Sequence, residues 1–225
     1  MAGAMRVMVE TGPKGKKVAA VAPDWPGLER GGKNEDAAVE RLLSYLPRYA
    51  PVAKLAGMEP EFAAVTAADV VERYPGTGST DFWGISFAFS DIDRQEVSSD
   101  DLERELALMR AAWAFFDDVR SRVSAELRKG PRGGGRDRDR IVHHTIGVEQ
   151  DWAKGLGLIT PDDRVLDGKE LESHRDAYCE AIRAFHAEGK SAGKWPLRYL
   201  IRHTAYHTLD GAWQMEDGDL TPIKA

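Results

Sequence analysis

The sequence has a single cysteine, Cys179, among 225 residues. No intrachain disulfide is possible, and an oxidising compartment is not implied. Its place in a helical pattern marks Cys179 as a buried small hydrophobe. Long apolar runs are also missing. The N-terminus, MAGAMRVMVETG, lacks the hydrophobic stretch of a signal peptide, and no later segment is apolar enough to span a bilayer. The expected location is the cytoplasm, with no membrane partner. Positive charge is in deficit, with 31 Lys and Arg against 37 Asp and Glu, a net charge of −6. That argues against a general nucleic-acid binder or membrane-surface protein. No internal repeat is visible, and the one glycine-rich basic stretch lacks the Gly-Lys-Ser/Thr end of a phosphate-binding P-loop.

What is present suits a soluble globular chain with a sizeable core: 42% hydrophobic and 30% charged residues. Two valine-rich runs, 5–11 and 17–23, flank Pro13-Lys14-Gly15 and read as a hairpin. Asp24-Trp25-Pro26-Gly27 reads as a turn. Asn34 caps a helix with Ala38, Leu42 and Leu46 on its apolar face, and Pro47 and Pro51 are expected to interrupt or end it. The run 62–73 is read as strand in part, 74–80 as loop, and the aromatic-rich 81–90 as a lid or packing arm.

From Ser98 the pattern turns helical. Leu102, Leu106, Met109, Trp113, Phe116 and Val119 fall on one stripe of a long helix. Further helices are expected at about 137–156, 169–187 and 195–216, with a glycine-rich break between the first two and a loop of a dozen residues before the third. The fold class is therefore α+β. A small α/β module at 1–95 is followed by a four-helix bundle at 96–225.

The histidines are the chemical signal. His203 and His207 lie four residues apart and stack on one face of the last helix. On the second bundle helix, His144 shares a stripe with Ile141, Val148 and Trp152, whereas His143 lies on the more polar side with Gly147 and Gln150. Three imidazoles from two helices make a metal site with an open position for water or substrate. Zinc, nickel, iron and copper all suit three neutral histidines, and spacing does not choose among them. A packed, hydrogen-bonded histidine is the competing role for each. Glu149, Asp151 and Asp210 are candidate hydrogen-bond acceptors or bases, with surface charge as the alternative for the first two. His174 and His186 read as surface residues. The basic loop 128–140 is either an anion-binding loop or a solvated connection.

The four helices, with HHTIGVEQDW on the second and HTAYH on the fourth, resemble the DinB/YfiT-like superfamily of metal-binding bundles. The resemblance covers residues 98–217. It implies a divalent metal held by His144, His203 and His207, and thiol-dependent transfer or isomerisation with a low-molecular-weight thiol. The family's Arg-Gly-Gln after the last histidine is replaced by Thr208-Leu209-Asp210, which puts any particular activity in doubt. VAAVAPDWPGLERGGKNEDAAVERLL, near the N-terminus, is similar to a second family, the HicB-type antitoxin fold, and implies a docking or lid module. The leading expectation is a metal-dependent enzyme, a thiol S-transferase or hydrolase acting on an electrophilic small molecule. The alternative is a non-catalytic metal-binding or protein-interaction protein. A homodimer through exposed helix stripes is left open.

Overall fold

A computed structural model describes residues 3–130, 135–161 and 164–221. The molecule is α+β, a four-stranded sheet at the N-terminus followed by a helical half. Strands β1 (Gly3–Thr11), β2 (Val18–Val21), β3 (Glu29–Gly32) and β4 (Val65–Pro75) lie in the order β3-β2-β1-β4. The hairpin β1-β2 is antiparallel, with Met8 opposite Val21 and Thr11 opposite Val18. β4 joins β1 in parallel, which requires the helical crossover between β3 and β4. The turn expected at 24–27 is present. Leu28 N–H donates to Trp25 O at 2.9 Å, and Gly27 takes φ +94°, a region that disfavours side chains.

The crossover follows the sequence expectation at Pro47, where the first helix ends, and departs from it at Pro51. Helix α1 (Glu35–Ser44) is capped by Asn34, whose Oδ1 accepts from Ala37 N–H at 2.9 Å. Pro47 then starts a second helix, α2 (Leu46–Leu55), and Pro51 sits inside it. A proline in the first turn loses no intrahelical hydrogen bond. The rest of α2 is held by burial of Tyr49, Val52 and Ala53, which overrides the cost at Pro51. A short α3 (Glu59–Ala63) leads into β4. The segment 74–80 is only partly loop: Tyr74 and Pro75 finish β4, and Thr77 caps α4 (Gly78–Trp83) through a capping box with Thr80. The arm ends in α5 (Asp91–Arg94), capped by Ser90 in the same manner.

The helical half holds α6 (Ser99–Arg122), α7 (Arg138–Ala153), α8 (Gly168–Ala187) and α9 (Leu197–Gly218). Ser98 caps α6, and all six residues of its expected stripe are buried. A 3-10 turn at Lys154–Leu156 ends α7 at Gly157. Residues 131–134 of the basic loop 128–140 and the last four residues of the chain lie outside the described residues. Just after α9 the chain turns back onto the end of α6, where Asp219 accepts from Ser124 N–H at 2.9 Å.

Alternation along β1 explains how the two halves meet. Met5, Val7 and Val9 face the main core, which continues without a break through Trp25, Tyr49 and Phe62 into α6 and α9. Met8 and Glu10 face the other way, under the arm 81–94, where Met8 packs with Val21, Tyr74 and Ile92. Among the described residues no helix is long and apolar enough to cross a membrane.

Candidate metal centre

α9 carries the site because its inward face is continuous. Tyr199, Leu200, His203 and Tyr206 are all buried. His203 sits in a cage of rings. Tyr199 stacks on it at 4.9 Å, the Trp152 indole from α7 lies tilted at 4.8 Å, and Phe87 from the arm meets it at 5.6 Å. So the arm 81–94 packs on α9 through Phe87 and Phe89, the latter 4.7 Å from Tyr199. Phe82 and Trp83 are exposed and pack on each other, with no ring contact to the histidines among the described residues. The reason is the αL turn at Gly84, which separates the two aromatic pairs.

His207, one turn along, meets His144 of α7 with ring centroids 5.1 Å apart, and Trp152 packs on its other side at 5.3 Å. His144, expected on the inner stripe, is exposed at the rim, because α7 buries Thr145, Glu149 and Gln150 instead. Its ring still turns toward α9. His143 is exposed too and makes no ring contact with His207. A cleft of about 250 Å³ takes in His143, His144, Asp151 and Arg164 on the outer side of α7; His203 and His207 are not in its lining.

All three imidazoles are biased to the neutral form. Burial, then the Arg202 charge and His207, holds His203 well below its ordinary value. Burial, with His144 and Arg136 nearby, brings His207 down to about 4. Burial and Arg136 lower His144. The Nδ1 of His203 is buried without a hydrogen-bond partner among the described residues. Leaving such an atom unsatisfied costs about 1–3 kcal/mol, so it asks for a ligand or donor.

These donors fit a divalent cation in chemistry, since a metal takes the neutral imidazole lone pair. In geometry the fit is partial. Two imidazoles bound about 2 Å from one ion have centroids roughly 5 Å apart, as His144 and His207 do. His203 is separated by Trp152, which packs on both it and His207. As they stand, no three His, Cys, Asp or Glu side chains among the described residues are grouped closely enough to hold a metal.

The remaining candidates fall elsewhere. Glu149 is buried, not surface charge; it accepts from Arg175 Nε at 3.0 Å, and Arg175 Nη1 donates to Asp117 at 2.7 Å. His174 is buried, with the Tyr178 ring as its neighbour, rather than exposed. His186 is half-buried and bonds Val97 O at 2.7 Å. Asp151 is exposed and pairs with Lys154. Asp210 lies 3.6 Å from Arg30, away from the histidines.

A buried polar network escaped sequence reasoning. Arg202 is bidentate to Asp93 at 2.7 and 2.8 Å and reaches Ser86 Oγ at 3.2 Å and Glu29 at 3.6 Å. Glu10 accepts from Thr80 Oγ1, from Ser86 Oγ at 2.7 Å and from two backbone N–H groups of the arm. Burial pushes Glu29 up to about 8, against the pull of Arg202. The only hint in the sequence is a glutamate within the valine run of β1. Comparison with protein-family models, with curated proteins and with solved structures gives no match.

Proposed function

We propose that the chain is a DinB-like metal-dependent enzyme whose divalent ion is held by His144, His203 and His207. The observation that carries this reading is the buried, neutral His203 with an unpartnered Nδ1, one helical turn from the His207–His144 pair. A divalent ion bound there would hold a thiolate or water and lower its pKa. The chain's own residues set the rest. Arg202 fixes α9 to the arm, and the arm places Phe87 over His203. Tyr199 and Trp152 keep the imidazole dry and neutral. Trp152 must swing from between His203 and His207 for three nitrogens to converge. The reaction is thiol S-transfer from a low-molecular-weight thiol to an electrophilic small molecule, with hydrolysis as the close variant. The HicB-like N-terminal module serves as a docking wall beside the arm.

The test is metal content of tag-free protein beside the triple variant His144→Ala, His203→Ala, His207→Ala. About one zinc or nickel ion per chain, absent in the variant, is expected. No metal after reconstitution overturns the reading. The position of Trp152 favours a second reading, a non-catalytic site in an interaction protein. A structural metal there would make the triple variant melt far below the wild type, because its binding free energy is folding free energy.

A further inference from the structure

A second cleft, of about 550 Å³, lies between β3, α1, α4 and α9, away from the histidines. Its lining includes Lys16, Lys17, Arg30, Lys33 and Arg41 against one carboxylate, Asp210. Five cations and one anion leave four positive charges in a chain whose net charge is −6. Such local inversion focuses a positive field into a concave site.

Arg30 is the built part. Its side chain is 5% exposed, and its guanidinium lies 3.7 Å from the Tyr45 ring centre and 4.2 Å from that of Trp213. Nη1 donates to Glu29 O at 2.8 Å, and Asp210 at 3.6 Å is beyond hydrogen-bond distance. Nε and Nη2 are buried with no partner among the described residues. A buried guanidinium with two unpartnered donors is costly, and an anion held in the cleft in front of it lowers that cost through its charge. Burial lowers the Arg30 pKa, as expected of a charge with incomplete compensation.

The floor is backbone. A Cβ on Gly31 would come 2.2 Å from Gly84 O, so β3 and the turn after α4 touch there. Lys17 Nζ binds Phe82 O at 2.5 Å and Arg41 binds Gly31 O at 3.3 Å, which fixes two of the cations on the walls. At the mouth stands Trp83, 62% exposed. An exposed indole beside a cationic cleft offers a flat face to a ring.

We infer that this cleft binds a phosphorylated small molecule carrying a flat ring, of the nucleotide class. Its phosphates meet Lys33 and Arg41 with the Arg30 charge behind them, and its ring packs on Trp83. The cleft's volume lies within the range of small-molecule sites.

The experiment is isothermal titration with ADP and with pyrophosphate at physiological salt. ADP is expected to bind about fivefold tighter than pyrophosphate, the worth of one ring contact. Trp83→Ala should bring ADP to the pyrophosphate level and leave pyrophosphate unchanged. Arg30→Gln risks the fold, since its guanidinium packs between two rings. The exposed pair Lys33→Glu, Arg41→Glu avoids that risk and should weaken both ligands at least about tenfold. No binding of either ligand at millimolar concentration overturns the proposal, as does binding that the charge reversal leaves unchanged. Equal affinity for ADP and pyrophosphate overturns the ligand class. So does tighter binding of a single-stranded oligonucleotide than of ADP.

Discussion

Arg202→Leu removes the buried, bidentate charge that ties α9 to the arm. The guanidinium is 2% exposed and its partner Asp93 is fully buried. Two hydrogen bonds to Asp93 go at once, with those to Ser86 Oγ. Breaking a buried pair from one side costs about 3–5 kcal/mol, because the remaining charge is left in a dry site. Glu29 adds little to this near neutral pH, since burial already holds it up at about 8 and so largely protonated. For a chain of this size the loss corresponds to a melting temperature lower by roughly 10 °C. The dependence on pH identifies the cause. Burial alone would raise the Asp93 carboxyl, and the Arg202 charge and hydrogen bonds bring it below its ordinary value. In the wild type its stabilisation is therefore present above the unfolded pKa and lost as pH falls through the depressed folded one. In the variant the unpaired carboxyl is raised, so the penalty is full near pH 7 and shrinks as acid protonates it. Urea denaturation of both proteins between about pH 4 and 7 measures this directly. A difference below about 1 kcal/mol, or one that does not change with pH, would refute the assignment of Arg202 as the tie.

Three further outcomes are expected. His207, depressed to about 4, should keep a neutral imidazole in NMR titration until pH nears that value; stability should fall as pH drops from the unfolded histidine pKa toward it, and a midpoint above 6 would contradict its burial. Glu29, raised to about 8, favours folding below its unfolded pKa and loses that as pH rises through 8, so Glu29→Gln should match the wild type in acid and melt progressively higher toward pH 8. Gly27→Ala places a Cβ 2.7 Å from Leu209 Cδ1 at φ +94°, and calorimetry should register a cost of about 1–3 kcal/mol; an unchanged melting curve would mean that the turn moves freely off α9.

Periodicity carries far in this chain. The stripe of α6, the hairpin β1-β2, the turn at Gly27 and the cap at Asn34 are all set by local chemistry, and all are found where the sequence placed them. Pro47 does mark the end of the first helix, whereas Pro51 sits inside the second, because a proline's cost depends on its position and on what the helix buries. The contact of His144 with His207 joins the two helices that the histidine pattern singled out. The exposure of His144 does not, since the tilt of α7 depends on Glu149 and Gln150, polar residues buried by partners distant in sequence. For the same reason Arg202 and Asp93, 109 residues apart, leave no local pattern. Arg30 looks like a surface charge at a strand end until Tyr45 and Trp213 close over it.

The central claim is that His144, His203 and His207 share one ion. X-ray absorption of the zinc-loaded protein tests it most directly, because imidazole scattering counts the histidines in the shell. The account predicts three imidazole nitrogens at about 2.0 Å and one non-imidazole ligand, with two imidazoles left in His203→Ala. A shell that is the same in wild type and His203→Ala would contradict it.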